Sequence, residues 1–322
     1  MLYLNERHLA EVGVDWRATI GAIAGAARIV AAGDFAQPIK PYLRYREPQN
    51  RIIAMPAFLG GSVDTAGIKW IASFPGNLDR GLPRAHSVVI LNEASSGAPR
   101  AIINTPLLSV IRTASVTGLM LERVRAVRGG GRVQVGMTGF GPIGQYHARM
   151  CAALLGGDLA RLRIYDPRPV RAESLAGLDC DATVVRTWQE AYDDADIFIT
   201  CTVSSAPYID RRPKPGSLQL NVSLRDYRTE VFPWVEGGIV VDDWEEVCRE
   251  NTDIEVLHRE CGLERAETRS LFDLVADDGW LASRTPDDVV MFNPMGMAVF
   301  DLAIGAYYAE AARRGGIGVE LP

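Results

Sequence analysis

Three glycines near the middle of the chain have the spacing of a dinucleotide-binding loop. Gly139, Gly141 and Gly144 form a G-x-G-x-x-G motif between an apolar segment, 133–138, and a helix-forming run, 145–155. This order lets a strand-to-helix turn bring backbone N–H groups and a helix N-terminus to a pyrophosphate. The motif therefore predicts a dinucleotide site; the alternative is a glycine-rich turn that binds no nucleotide.

An acidic residue follows the next predicted strand. Asp166 ends the segment 162–166. A carboxylate at this place accepts a hydrogen bond from a ribose 2′-hydroxyl and repels a 2′-phosphate, which predicts NAD rather than NADP. Arg168 stands two residues later, and its positive charge leaves NADP open.

Two cations lie in segments that are otherwise apolar or small. Lys69 belongs to the predicted strand 67–73, and Arg112 belongs to the predicted helix 107–125. A buried cation is costly unless an anion or polar group meets it, so both predict either internal ion pairs or a carboxylate substrate. Beside 31 arginines the chain has only three lysines, Lys40, Lys69 and Lys214. This bias favours a role for a retained, titratable ammonium.

The elements that must position these residues fall into two groups. From residue 133 onwards, predicted strands alternate with helical stretches: 133–138, 162–166, 197–203, 218–222 and 239–242. Such alternation is typical of a doubly wound parallel sheet that binds ligands at the carboxyl ends of its strands.

The first part of the chain has a different pattern. A helix is predicted over 15–32, with Asp15 as its N-cap and Gly33 as its stop. Strands separated by Pro, Gly and Asn predict an antiparallel or mixed sheet: 41–46, 51–56, 67–73 and 87–91. A final amphipathic helix, 298–314, is expected to pack back on this first domain.

Composition excludes several classes of protein. The proportions of 48% hydrophobic and 23% charged residues are those of a globular protein, and no apolar run reaches the roughly 18 residues of a membrane span. Five scattered cysteines, with no secretory pattern at the N-terminus, predict a cytoplasmic protein without a disulfide framework. No His, Asp or Glu cluster has metal-ligand spacing, so no metal is expected.

Charge is distributed unevenly along the chain. The net charge of −6 disfavours nucleic-acid binding. Residues 1–112, however, carry 12 Lys and Arg against eight Asp and Glu. This surplus suits a region that receives an anionic substrate, although ordinary surface scatter would give similar counts.

The chain resembles the ornithine cyclodeaminase/μ-crystallin family of NAD(P)-dependent, imine-forming enzymes. The resemblance rests on the glycine loop and on segments in the same order around it: 37–44, 67–71, 111–114 and 293–298. It implies an α/β fold, with a Rossmann-type doubly wound parallel sheet that binds NAD in residues 116–297. Residues 1–115 together with 298–322 would form a smaller α/β domain for substrate binding and dimerisation, giving a homodimer that acts on a small, amino-acid-derived substrate.

The resemblance also implies the residues of the site. Asp226 would be the general acid/base, unless it is a loop carboxylate paired with Arg225 or Arg228, and Lys69 would stabilise developing charge. The substrate carboxylates would be bound by Arg44, Lys69, Arg112 and Lys40. The cofactor would be bound by Arg112, Thr113, Gly139, Gly141, Pro142, Ile143, Gly144, Asp166, Thr202, Val203, Ser223, Met295 and Gly296.

Within the family, the chain resembles a diaminopropionate-forming branch in the segments 37–44, 51–56, 67–71, 199–203, 241–244 and 293–298. The expected reaction is NAD-dependent oxidative cleavage of N-(2-amino-2-carboxyethyl)-L-glutamate, through a ketimine, to 2-oxoglutarate and L-2,3-diaminopropionate. The context would be siderophore or peptide-antibiotic biosynthesis. The alternatives are an ornithine or lysine cyclodeaminase, a ketimine reductase, and a non-catalytic NAD(P)H-binding protein.

Overall fold

Strands cluster in the first third of the chain and then alternate with helices. The structure, a computed structural model, describes residues 1–322. The strands are β1 (Leu2–Asn5), β2 (Phe35–Ala36), β3 (Tyr42–Leu43), β4 (Arg51–Leu59), β5 (Thr65–Ser73), β6 (Ala85–Glu93), β7 (Pro99–Asn104), β8 (Val133–Thr138), β9 (Leu159–Tyr165), β10 (Ala182–Val184), β11 (Ile197–Thr200), β12 (Leu218–Asn221), β13 (Ile239–Val241), β14 (Arg269–Ser270), β15 (Val290–Asn293) and β16 (Val319–Glu320).

The helices follow the same order along the chain. They are α1 (Glu6–Val12), α2 (Trp16–Ala31), α3 (Leu107–Arg128), α4 (Pro142–Leu155), α5 (Ala172–Leu175), α6 (Trp188–Tyr192), α7 (Phe232–Val235), α8 (Trp244–Val247), α9 (Asp253–Cys261), α10 (Leu271–Ala276), α11 (Gly279–Ala282) and α12 (Ala298–Gly315). Two compact units result: Met1–Thr113 with Gly296–Pro322, and Ala114–Met295. No helix combines the length and the apolar character that crossing a membrane requires.

The first unit is built on a mixed sheet. Its strand order is β16-β1-β7-β6-β5-β4-β2, with β3 also paired to β4. Only β1 and β7 run parallel; the other neighbours are antiparallel. The predicted mixed sheet is therefore present, but β1 and β7 were not predicted, and the strand expected over 41–46 is only two residues long.

One face of this sheet is covered by helices. α12 packs on α2 and on β4, β5 and β6, as expected for the last helix. Side chains that point to this face are buried, as Val89 and Leu91 of β6 illustrate. Alternate residues on the other face, such as Ile68 and Ile90, are only partly buried.

The second unit contains an eight-stranded parallel sheet, ordered β10-β9-β8-β11-β12-β15-β13-β14. Five of the strands were predicted, and β8 has the predicted limits. The strand predicted over 197–203 ends at Thr200, because the chain turns there at the carboxyl edge of the sheet. The buried four-residue strand β15 was not predicted.

The N-cap of α2 provides a test of the local sequence rules. The Asp15 carboxylate accepts the backbone N–H of Ala18 at 3.0 Å, and Gly33 adopts φ +80° just after the helix. Asp15→Ala should therefore lower the free energy of unfolding by about 1 kcal/mol. The measurement is urea denaturation. Glu11→Ala, which removes the same charge from an exposed site on α1, should change stability by less than half as much.

Candidate active site

The turn between β8 and α4 requires glycine at two positions. Gly139 adopts φ +84°, and a Cβ on it would overlap the carbonyl group of Cys201. A Cβ on Gly144 would overlap the carbonyl oxygen of Gly139. These glycines allow the chain to turn tightly at the end of the strand and α4 to begin directly behind it.

The N-terminus of α4 fits a pyrophosphate. Gly141 is the N-cap, and no side chain accepts a hydrogen bond from the first turn of the helix. A Cβ on Gly141 would meet nothing within 4 Å, so the space before the N-terminus is open. Pro142 is the first helical residue, and Ile143 is 36% exposed at the same end. Free backbone N–H groups beside open space are what an anionic ligand requires.

Asp166 links β9 to the glycine loop. Its Oδ2 accepts the backbone N–H of Phe140 at 2.8 Å, while Oδ1 accepts the N–H and Nε–H of Arg168 at 2.9 and 3.3 Å. Because each carboxylate oxygen has two lone pairs, Oδ2 can accept a further hydrogen bond. Asp166 thus retains the capacity that binding of a ribose hydroxyl requires, and it holds Arg168 as its ion-pair partner.

Asp226 is buried in the turn that follows β12 and is bound by two hydroxyl groups. Thr202 donates to its Oδ1 and Ser223 donates to its Oδ2. The Thr202 oxygen accepts the N–H of Ser204, and the Ser223 oxygen accepts the N–H of Thr202, each at 3.2 Å. Since a backbone N–H already points at each hydroxyl oxygen, the hydroxyl proton is directed at the carboxylate.

This arrangement differs from the simple ion pair that was the alternative for Asp226. Arg228 lies 3.7 Å from Asp210, and Arg225 donates to the carbonyl of Glu250 at 2.9 Å. Thr202 and Ser223 contact the carboxylate, and their binding of the cofactor stays a prediction. Val203, on the same loop, is 58% exposed.

Cys201 lies beside this turn but lacks the properties of a nucleophile. Its Sγ is 3.8 Å from Nδ1 of His147. Burial raises the pKa of the Cys201 thiol well above its usual value, and burial lowers the pKa of His147 to about 4. At neutral pH the imidazole is uncharged, so nothing here stabilises a thiolate.

The two cations singled out in the sequence meet in the first unit at a carboxylate that was not predicted. Lys69 Nζ lies 2.6 Å from Oδ2 of Asp301, and Arg112 Nε donates to Oδ1 at 2.9 Å. All three residues are buried. Asp301 could have been noticed as the one acid in the otherwise apolar first turns of α12.

A third cation lies close to this pair. Lys40 is buried and donates to the carbonyl of Gly296 at 2.8 Å. Gly296 adopts φ +87°, and a Cβ on it would come within 2.8 Å of Arg112 Nη1. The glycine therefore leaves room for the guanidinium while its carbonyl holds the lysine.

Burial is the main influence on Lys69. It lowers the pKa of the ammonium from 10.5 to about 7; Asp301 opposes this shift, whereas Arg112 and Lys40 add to it. Among the charged groups that act on Lys69, only Asp301 is an acid. The arrangement can therefore attract a further carboxylate.

Three further residues were predicted to bind the substrate or the cofactor, and each has contacts of its own. Arg44 is exposed, with its guanidinium 5.1 Å from the centre of the Tyr42 ring. The Thr113 hydroxyl donates to the carbonyl of Ser109 at 2.7 Å, and the N–H of Met295 donates to Asp242 at 2.9 Å. Their roles toward substrate or cofactor remain predictions.

Comparisons with known proteins agree with this architecture. The N-((2S)-2-amino-2-carboxyethyl)-L-glutamate dehydrogenase of Staphylococcus aureus (strain NCTC 8325 / PS 47) is 31% identical over all of this chain and 98% of its own length. The alanine dehydrogenase of Archaeoglobus fulgidus is 26% identical, covering 94% of this chain and 92% of that protein. The solved structure of the Thermococcus litoralis Δ1-pyrroline-2-carboxylate reductase, in complex with NADH and L-proline, superimposes with a TM-score of 0.88 at 21% identity, covering both chains fully.

These matches confirm the predicted α/β fold with its Rossmann-type sheet. They also confirm, at the level of the family, an enzyme that is an NAD-dependent oxidoreductase. The model of the ornithine cyclodeaminase/mu-crystallin family matches residues 4–316. The chain belongs to this family.

Proposed function

We propose that this enzyme cleaves N-(2-amino-2-carboxyethyl)-L-glutamate oxidatively, with NAD, to 2-oxoglutarate and L-2,3-diaminopropionate. The observation that carries the proposal is the buried cationic cluster of Lys40, Lys69 and Arg112, in which Asp301 is the one acid that acts on Lys69. A substrate with three carboxylates and a net negative charge suits such a cluster, whereas ornithine or lysine, with one carboxylate and a net positive charge, does not. The full-length similarity to the Staphylococcus aureus dehydrogenase supports the same substrate.

The first unit would bind the substrate by charge. Arg112 and Lys69 attract its carboxylates, and Lys40 adds to the positive potential. Asp301 holds both side chains in place, which fixes where a carboxylate can bind. Lys69 would also stabilise the charge that develops during the reaction.

The second unit would hold the cofactor and manage protons. The open N-terminus of α4 would bind the pyrophosphate and Asp166 the ribose. When bound, NAD supplies the acceptor for the hydride that leaves the α-carbon of the glutamate portion. Asp226 accepts the proton of the secondary amine, which leaves a ketimine, and then assists attack by water. Water adds to the ketimine carbon, and collapse of the resulting carbinolamine, with a proton returned to the nitrogen, breaks the C–N bond and releases the 2-oxo acid and the amine.

The proposal includes a cytoplasmic homodimer that serves siderophore or peptide-antibiotic biosynthesis. The uncovered face of the mixed sheet is the surface suited to a second copy. On this face a row of paired residues crosses five neighbouring strands. In order across the sheet, the row consists of Pro56, Ile68, Ile90, Ile102 and Tyr3. Neighbouring strands lie about 4.8 Å apart, so this apolar row is about 19 Å wide, the kind of patch that marks an interface.

The substrate is tested by following NADH formation at 340 nm with N-(2-amino-2-carboxyethyl)-L-glutamate, ornithine and lysine in parallel. We expect NADH, 2-oxoglutarate and diaminopropionate from the first substrate only. Asp226→Asn should abolish turnover while leaving NAD affinity within about twofold, because the amide cannot accept the amine proton. Formation of proline from ornithine or of pipecolate from lysine would instead identify a cyclodeaminase. NAD binding without any turnover would identify a binding protein.

The role of Lys69 predicts a specific pH dependence. With its pKa at about 7, the side chain is an ammonium below that pH and neutral above it. KM for the anionic substrate should therefore rise as the pH increases from 6 to 9. Lys69→Gln should raise KM at pH 6 by about tenfold and remove this dependence. Lys214→Gln removes a lysine that is paired with Asp196 and should leave the profile unchanged.

Stability gives a second measurement of the same group. Between pH 7 and 10.5 the unfolded chain binds a proton at residue 69 that the folded chain does not, so this residue makes the free energy of unfolding rise with pH over that interval. In Lys69→Gln this contribution should be absent. A wild-type and a variant curve of identical slope would contradict the burial of a titrating ammonium.

The interface is tested by measuring mass in solution. The wild-type protein should elute in light-scattering chromatography with twice the mass of one chain, and Ile90→Arg should elute as a monomer. The expected cause is the cost of burying a guanidinium in an apolar interface. Val184→Arg, at an exposed apolar residue of β10, is the control and should remain dimeric. A dimeric Ile90→Arg would rule out this face.

A further inference from the structure

A buried acid lies next to the Asp226 turn and contacts its backbone. Asp253 is the first residue of α9 and is 5% exposed. Its Oδ2 accepts the side-chain amide of Asn221 at 2.8 Å and the backbone N–H of Asp226 at 3.3 Å. The backbone N–H of Asp253 donates to the carbonyl of Leu224 at 2.7 Å. Asp253 is thus bonded to both the middle and the end of the turn.

The turn needs such support because its backbone is strained. Leu224 adopts φ +62°, a left-handed conformation that is unfavourable for a bulky residue. Asn221 supports it from the other side: its Oδ1 accepts the N–H of Leu224 at 3.2 Å and the hydroxyl of Thr200 at 3.0 Å. The Asn221 amide also donates to Asn293 of β15 at 2.8 Å.

We propose that Asp253 is a positioning residue that holds the strained turn after β12, and with it the Asp226 carboxylate, in the geometry required for proton transfer. The Asp226 side chain is bonded to the hydroxyl groups of Thr202, Ser223 and Tyr208, whereas the hydrogen bond from Asp253 goes to the Asp226 backbone. This inference rests on the proposed function, in which Asp226 accepts the proton.

An acid is better suited to this position than its amide. A carboxylate can accept hydrogen bonds on both of its oxygens, and this one meets the side-chain amide of Asn221 and the backbone N–H groups of Asp226 and Tyr227; an asparagine has one acceptor oxygen. The position is a costly one for a charge: burial raises the pKa of Asp253 to about 7, an effect that Asn221 opposes and Asp226 strengthens. An acidic residue at a position where its charge is costly to bury indicates that its carboxylate oxygens are needed there as hydrogen-bond acceptors.

The test compares Asp253→Asn with Glu255→Gln. Both variants remove one negative charge from the first turn of α9, but Glu255 accepts the N–H of Asn251 and does not contact the turn. We expect Asp253→Asn to lower kcat by about tenfold or more, with KM and NAD affinity within about twofold, because misplacing a catalytic group costs rate. Glu255→Gln should keep kcat within about twofold.

Hydrogen–deuterium exchange separates this inference from the proposed function, because it needs no turnover. The peptide that contains residues 222–227 should exchange at least about fivefold faster in Asp253→Asn than in Glu255→Gln. If the wild type oxidises none of the substrates, the proposed function fails, while faster exchange still supports the positioning of the turn. Unchanged exchange, or equal loss of kcat in both variants, overturns the inference.

A second variant guards against a simple folding defect. Asn221→Ser keeps the Asp253 carboxyl group but removes the amide that bridges it to Asn293. It should lower kcat by less than Asp253→Asn, and the double variant should lose less than the product of the two effects, because both act on one network. If both single variants fail to fold, the network has a purely structural role and the inference is wrong.

Discussion

The need to compensate buried charge shapes the first unit. Lys69 on β5 and Arg112 on α3 are more than nine-tenths buried, and burying their charges is costly unless an acid compensates them. The acid is Asp301, which belongs to α12 at the far end of the chain. The packing of α12 on the sheet is therefore tied to the electrostatics of the cluster. A single carboxylate between two cations orients both side chains, and the cluster can still attract a second anion.

The second unit handles buried carboxylates differently. Asp226 and Asp253 are met by hydroxyls, a side-chain amide and backbone N–H groups. A guanidinium would hold a carboxylate in its ionised form. A hydroxyl can donate to a carboxylate or, after rotation, accept from the protonated acid, so Thr202 and Ser223 permit both forms of Asp226. This property suits the proton-accepting role proposed for Asp226.

Sequence reasoning succeeded where the information is local. The limits of β8 and the N-cap of α2 were predicted because strand, turn and helix signals lie within a few residues of one another. It failed where partners are distant in the chain. Neither the pairing of Lys69 with Asp301 nor the contact of Asp253 with the Asp226 turn has a sequence pattern, since each joins elements that only the folded sheets bring together.

The use of lysine rather than arginine at position 69 follows from the same electrostatics. An arginine cannot lose its proton in a protein, so an arginine at position 69 would add a fixed positive charge beside Arg112 and Lys40, with Asp301 as the one acid of the cluster. Burial lets Lys69 release its proton near neutrality and relieve the repulsion from Arg112 and Lys40. An arriving carboxylate would restore the proton, because an added negative charge raises the pKa of the ammonium. The positive charge of the site is then greatest when an anion is present to use it.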